Sequence, residues 1–401
     1  MSGARTQVAI LGAGPAGLFL SHLLARAGID SIVLECHSRD YLEHRIRAGV
    51  VEHGIAKHLD AVGLGERMRR EGLVHHGIEL RFDGRRHRIA MSELAGNKTI
   101  TVYGQQEIVK DLVAARLAAG GDLRFGAEAL EISDVLGPTP TVRYRHDGIE
   151  STITCEVVAG CDGFHGISRQ ALPPGAARAF ERVHPFAWLG ILAEVAPSTD
   201  ELIYCRHDRG FALHSMRSFE LSRFYLQVAP DEPLERWSDA AIWAELRRRF
   251  ATEDGFELAD GPIIERSITT MRSFILEPQA IGSLVLAGDA AHIVPPTGAK
   301  GMNLALADVR DLAHALIAKL VHHDESFLKA YSAACVRRAW HAQEFSTFMT
   351  TLLHPLAGDD FNNHLQLARL EELTSSRDAA RHLAERYVDL ASMRLFADAT
   401  P

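Results

Sequence analysis

The sequence predicts an α/β fold in which a dinucleotide-binding parallel sheet is interrupted by an inserted β-sheet lobe and followed by a helical C-terminal region. Three observations predict it. A strand-like run at residues 6–11 leads through Gly12, Gly14 and Gly17 into a helical pattern and a second strand that ends on Glu35. Two later apolar runs, residues 155–160 and 283–287, each stop at a turn carrying an aspartate, Asp162 and Asp289. Between those runs the chain alternates at strand period, and from Met302 onward its apolar spacing becomes helical.

Length and composition bound the reading. A chain of 401 residues is too long for one small core, so two or three lobes are expected. With 47% hydrophobic and 24% charged residues, the composition is that of a globular chain. A net charge of -9 excludes nucleic acid as a partner but leaves small anions open, since these depend on local charge. The five cysteines, Cys36, Cys155, Cys161, Cys205 and Cys335, show no CxxC pair and no metal-ligand spacing. They fit a reducing cytosol and no metal site. No apolar stretch approaches the ~20 residues of a membrane span, and no leader-like segment opens the chain, so a cytoplasmic protein without a membrane partner is expected.

Residues 6–11 suit a buried parallel strand. Residues 17–27 have helical spacing, with Gly28 as the C-cap, and residues 31–34 form the next strand. In the turn Gly12-x-Gly14-x-Ala16-Gly17, the first glycine allows the tight bend and the second lets the backbone approach a pyrophosphate. The third allows close helix–strand packing, and the helix N-terminus adds partial positive charge. Glu35 stands where a carboxylate accepts hydrogen bonds from a ribose diol, which disfavours a 2′-phosphate there and points to FAD or NAD. Asp162 with Gly163, and Asp289, are placed to hold further ribityl or ribose hydroxyls. The segment from Pro296 through Gly298 to Met302 and Asn303 turns into a helix, aiming N–H donors at an electron-rich ring edge. Residues 187–194, 201–205, 210–216 and 222–228 read as strands, and 306–321, 327–350 and 378–395 as helices. The expected division is a discontinuous FAD-binding domain (1–74, 98–180, 268–350), a substrate-binding sheet domain (75–97, 181–267) and a C-terminal helical region (351–401).

A GxGxxG turn, a Cys-Asp-Gly turn and the string Gly-Asp-Ala-Ala-His, in this order and each after a strand, resemble the class A flavoprotein aromatic hydroxylases. The resemblance runs from about Thr6 to Leu390. It implies a Rossmann-like fold of the glutathione-reductase type, non-covalent FAD, NADH or NADPH and O₂ as co-substrates, and a homodimer. Longer matching strings at 45–50, 101–105, 159–170 and 286–301 narrow it to the branch that converts 4-hydroxybenzoate to 3,4-dihydroxybenzoate through a flavin hydroperoxide. On that resemblance Arg45, Ile46, Arg47, Ala48, Gly49, Val50 and Gln105 line the FAD. Tyr41, Arg45, His165 and Arg272 contact the nicotinamide coenzyme, and Arg223 sits near the flavin.

The resemblance also implies a substrate pocket. An aromatic acid needs a cation for its carboxylate, and Arg217 can grip one bidentately, supported by Ser215, Met216 and Tyr225. Tyr204 matches the partner of the substrate phenol, and Tyr387 the next hydroxyl in a proton chain. Pro296 would place its carbonyl near the ring, and His75 would be the surface end of the relay. Ionising the phenol enriches the ring for attack at its ortho carbon, and a dry pocket prevents loss of peroxide. Each residue also has a plainer reading: Tyr204, Phe186 and Trp188 as core, and Arg223 as an ordinary ion pair. The joint match favours function. The chain departs from the pattern at Cys36 and His37, where NADPH-preferring members carry a basic residue, so the choice of NADH or NADPH stays open. Phe224 replaces a common tyrosine, and His214 replaces a smaller residue but should face away from the ligand by strand alternation. The competing readings are a hydroxylase of another hydroxybenzoate, a non-catalytic FAD-binding redox protein, and an NAD-dependent dehydrogenase.

Overall fold

The computed structural model describes residues 3–47 and 49–390. Its first layer is a six-stranded sheet ordered Ala280–Ile281, Leu284–Leu286, Val157–Gly160, Val8–Leu11, Ser31–Glu35, Asp122–Phe125. All neighbours are parallel except the edge pair Ala280–Ile281 and Leu284–Leu286. Strand alternation divides its side chains between two cores. Val8, Ile10, Val33, Val157, Ala159 and Val285 pack toward helices Pro15–Arg26, Gln105–Ala118 and Gly301–His322. Ala9, Leu11, Ile32, Leu34, Val158, Leu284 and Leu286 pack toward a four-stranded sheet built from Ala4–Arg5, Glu128–Ser133, Thr141–His146 and Ile149–Thr154. Burial on both faces is why these strands read as nearly continuous apolar runs.

The second layer is an eight-stranded sheet that includes Ile78–Phe82, Arg85–Ile89, Arg178–Ala193, Ile203–Cys205, Ala212–Met216, Ser222–Val228 and Ile263–Glu277. Helix Asp239–Phe250 covers one face through Ile242, Trp243, Leu246 and Phe250. The other face meets the C-terminal helices Ser326–Leu353, Asp360–Ser375 and Arg377–Asp389. Strands Arg178–Ala193 and Ile263–Glu277 are long and paired, so the expected switch points at 181 and 268 fall inside continuous strands shared by both lobes. The helix C-cap is Ala27, one residue before the Gly28 expected from the sequence, which follows it at φ +71. No helix among the described residues is long and apolar enough to cross a membrane.

Candidate active site

The glycine turn is built so tightly that side chains are excluded at two positions and admitted at one. A Cβ on Gly12, whose φ is +92, would lie 2.4 Å from the Cys161 carbonyl oxygen. One on Gly17 would lie 2.0 Å from the Gly12 oxygen, where helix meets strand. At Gly14 nothing lies within 4 Å, which leaves open space above the helix N-terminus, where a pyrophosphate belongs. Ala16 is buried beside Gly288, closing the same turn against the Asp289 loop. Asp162 accepts from the Ser168 backbone (2.9 Å) and hydroxyl (2.8 Å) through Oδ2, while its buried Oδ1 has no protein partner. An orphaned buried carboxylate oxygen fits the hydroxyls of FAD.

Glu35 is buried at the end of its strand. Its Oε2 accepts the Ala13 N–H at 2.8 Å, and its Oε1 accepts the His37 N–H at 2.9 Å and faces His37 Nδ1 at 2.8 Å. His37 stacks on Tyr41, and Arg45 lies over the Tyr41 ring at 5.6 Å. Arg39 is occupied by Glu43 at 2.6 Å. On the opposite side Arg272 lies 4.5 Å over the Phe164 ring, which meets His165 edge-on, so the coenzyme candidates form two clusters, Tyr41 with Arg45 and His165 with Arg272.

Arg45 and Arg47 lie within electrostatic reach of Asp289, and Arg47 also of Tyr225, which joins the flavin motifs to the substrate sheet. Gly49 is pressed against the Tyr103–Gln105 turn: a Cβ there would sit 2.0 Å from the Tyr103 oxygen. Ile46 is half-buried in the same segment, and Val50 pairs with Val102. Ala48 lies outside the described residues. Arg169 braces the Asp162 and Asp289 loops by donating to the carbonyls of Phe164 and Ala290. Beneath them His292, Asp308, Arg338 and Asp311 form a buried ionic chain. Helix Gly301–His322 starts with no side-chain cap, leaving first-turn N–H groups of Gly301, Met302 and Asn303 as donors. A Cβ on Gly298 would lie 2.9 Å from Ser346 Oγ, and Thr297 is held by Thr350 at 3.0 Å.

The substrate candidates converge on one face of the second sheet. Register places Leu80, Tyr204, Leu213, Tyr225 and Gly190 in one row across five strands. Ser215 and Arg223 form the next pair on the same face, two residues along. Arg217 follows at the strand end, and its Nη1 donates to Ser215 Oγ (2.9 Å) and the Met216 carbonyl (2.7 Å). Its Nη2 lies 3.4 Å from Tyr225 Oη, and its buried Nε has no protein partner. Such a fork is held in orientation with one donor left for an anion. His214 faces the opposite core against Phe224 and accepts the Ser198 N–H, as alternation required. Burial drops its pKa to about 3.

Tyr204 Oη lies 2.5 Å from Tyr387 Oη, both rings buried. Burial pushes both phenols well above the usual tyrosine range. Tyr387 is fixed from behind by Lys300, whose ammonium donates to the Tyr387 carbonyl (2.7 Å) and to Glu52 (2.8 Å). Burial pulls Lys300 below its ordinary pKa while Glu52 opposes this. Neither Lys300 nor Glu52 was among the sequence candidates. Lys300 sits inside the string from Leu286 to Gly301, but its partner lies 248 residues away and carries no local signal.

Several expectations change. His75 is 1% exposed, so it is not a surface group, and its two ring nitrogens have no protein partner. Burial lowers its pKa to about 4. The Asn303 side chain is used up: Oδ1 accepts the Glu52 N–H and Nδ2 donates to the Val50 and Ala299 carbonyls, leaving only its backbone for a cofactor. The Pro296 carbonyl accepts the Ala299 N–H at 2.9 Å, within a turn where Ala299 takes a left-handed φ of 53. Arg223 forms an ion pair with Glu265 at 3.0 Å. Trp188 is core, as its plainer reading had it, but its ring lies 4.8 Å from Tyr225 and so backs the pocket wall.

Comparisons with known proteins give the family and the fold. The family described as "FAD binding domain" matches residues 5–346. The chain is 44% identical over 387 residues to p-hydroxybenzoate hydroxylase of Acinetobacter baylyi, covering 96% of each. It is 26% identical to a 3-(3-hydroxy-phenyl)propionate/3-hydroxycinnamic acid hydroxylase of Mycolicibacterium gilvum, over 87% of this chain and 60% of that one. In fold it resembles p-nitrophenol 4-monooxygenase from Pseudomonas putida DLL-E4, with a TM-score of 0.83 at 18% identity, covering 98% of this chain and all of that one. The chain belongs to the FAD-binding monooxygenases of the class A flavoprotein aromatic hydroxylase family, with FAD as its cofactor.

Proposed function

We propose that this hydroxylase acts on 4-hydroxybenzoate at the carbon ortho to its hydroxyl, giving 3,4-dihydroxybenzoate. The observation that carries this reading is the arrangement of one sheet face. Tyr204, hydrogen-bonded to Tyr387 of helix Arg377–Asp389, stands in the same row as Tyr225, whose hydroxyl supports the Arg217 guanidinium. A para-hydroxy acid offers a phenol to one and a carboxylate to the other. The relative at 44% identity bears the name of this activity.

FAD, when bound and reduced by the nicotinamide, activates O₂ for transfer to an aromatic ring. The residues supply the rest. Arg217 takes the carboxylate, with its fork preset by Ser215 and Tyr225. Tyr204 accepts the substrate's phenolic proton as it donates its own to Tyr387, and Tyr387 releases its own in turn toward solvent, so one proton leaves the ring and the phenolate directs oxygen to the ortho carbon. Lys300 favours that charge, lying with its ammonium 5.3 Å from the Tyr387 ring centre. Phe211, Leu213, Trp188 and Met216 keep the surroundings apolar, which excludes water. NADH serves at least comparably to NADPH, because Cys36 and His37 offer no fixed cation directly after Glu35 and Arg39 is paired with Glu43 at 2.6 Å.

The test is NAD(P)H consumption and product identity with 4-hydroxybenzoate, 3-hydroxybenzoate and salicylate. The expected result is stimulated oxidation and near-stoichiometric 3,4-dihydroxybenzoate from the first alone. Equal turnover of another isomer, or oxidation that no aromatic acid stimulates, contradicts the reading.

A further inference from the structure

We propose that Glu35, Cys36 and His37 form a binding site for a thiophilic divalent cation, Zn²⁺ being the probe of choice, that competes with the adenosine ribose of FAD for Glu35. The competition rests on reading Glu35 as the ribose carboxylate; the cation site itself does not. The three ligand atoms form a closed triangle. Glu35 Oε1 lies 2.8 Å from His37 Nδ1 and 3.5 Å from Cys36 Sγ, and Sγ lies 3.1 Å from Nδ1. With metal–ligand distances of about 2.0–2.3 Å, the corners of a tetrahedral zinc site stand roughly 3.3–3.7 Å apart. Opening the triangle by about half an ångström on its shortest edge therefore seats a cation, and the fourth position faces solvent.

The surroundings favour it. Cys36 and His37 are exposed and can be reached, whereas Glu35 is buried at the strand end and fixed through Oε2 by the Ala13 N–H. The His37 ring is set by its stack on Tyr41, 4.4 Å between centroids, which orients Nδ1 inward. A cation seated between sulfur and carboxylate stabilises the thiolate that binds it. The exchange is redox-neutral: the thiol proton goes to solvent, and imidazole binds through Nδ1 with its proton on Nε2. A spacing rule for metal motifs overlooks this triplet because its ligands are consecutive. The antagonism with FAD is reciprocal, since whatever weakens one ligand weakens the other equally.

The experiment is calorimetric titration of the FAD-loaded enzyme with ZnCl₂ in two buffers of different ionisation enthalpy, with released FAD followed by its fluorescence. The expected result is one equivalent bound, close to one proton released, and a rise in free FAD. Cys36→Ser and His37→Gln, which leave Glu35 in place, should each weaken zinc at least tenfold and suppress FAD release. No binding, or binding equally tight in Cys36→Ser, overturns the site. Zinc that binds through Cys36 without releasing FAD upholds the cation site and overturns the assignment of Glu35 to the ribose.

Discussion

At the glycine turn, a methyl group on Gly17 would stand 2.0 Å from a backbone oxygen, whereas on the substrate face the decisive contacts are among hydroxyls and one guanidinium. The flavin cradle is made mainly of backbone: N–H groups, carbonyls and the absence of side chains. The substrate pocket is made of side chains carried on a rigid sheet. The first kind of site fails when anything is added, and the second when a particular atom is removed. Substitutions can therefore separate them.

The largest effect is expected in the cradle. Gly17→Ala has no room against backbone, so both FAD content and thermal stability should fall steeply. Gly14→Ala meets no protein atom, so its Tm should match wild type while FAD retention drops by an order of magnitude or more. Flavin absorbance per protein, read beside a melting curve, checks both. A Gly17→Ala protein with full FAD and an unchanged Tm would break the distinction.

Next in size is the pocket. Arg217→Lys retains charge but loses the fork held by Ser215 and Tyr225, and should weaken 4-hydroxybenzoate binding by about 1.5–3 kcal/mol. FAD content should not change. Substrate affinity from the flavin spectral change measures it, and an effect below twofold would remove Arg217 from the carboxylate.

A third expectation concerns buried histidines, one of them, His214, on the sheet that carries the pocket. His214, His354 and His75 are buried neutral, with pKa values lowered by burial to about 3, 3 and 4. The unfolded chain binds protons near the ordinary 6.5 and the folded chain does not, so stability falls as pH drops through 6.5 toward 4. At pH 5.5 each ring costs about 1.4 kcal/mol relative to pH 7.5. Urea unfolding at the two pH values tests this, and a flat profile contradicts it. The smallest effect is in coenzyme choice. Glu43→Gln frees Arg39 and should raise kcat/KM for NADPH relative to NADH a few-fold. No change in that ratio would show that Arg39 does not reach the 2′-phosphate.

The cradle was legible because backbone requirements are written as glycine spacings and strand ends. The parallel strands were legible because burial on both faces makes them apolar runs. The four-stranded sheet was not foreseen: Glu128–Ser133 and Thr141–His146 are largely charged on their outer side. Helix Asp360–Ser375 was missed because it buries only Gln366, Leu370 and Leu373, and its Phe361 is 77% exposed, so no clear apolar stripe exists. The pocket was legible only as residue types in matching strings. What those strings omit is tertiary. The Asn303 amide is captured by Val50 and Glu52, Lys300 pairs with Glu52, and His75 is sealed from solvent, none of which local sequence encodes.

The account's central claim is that the Tyr204–Tyr387 pair takes the substrate's phenolic proton. The direct measurement is product formed per NAD(P)H consumed, with 4-hydroxybenzoate, for wild type and Tyr204→Phe. The variant loses the hydroxyl that meets the substrate but keeps Arg217 and its supports, so affinity should change little. Nicotinamide oxidation should slow, and most of the O₂ consumed should appear as H₂O₂ instead of 3,4-dihydroxybenzoate. A Tyr204→Phe enzyme that stays fully coupled at the wild-type rate would contradict the claim.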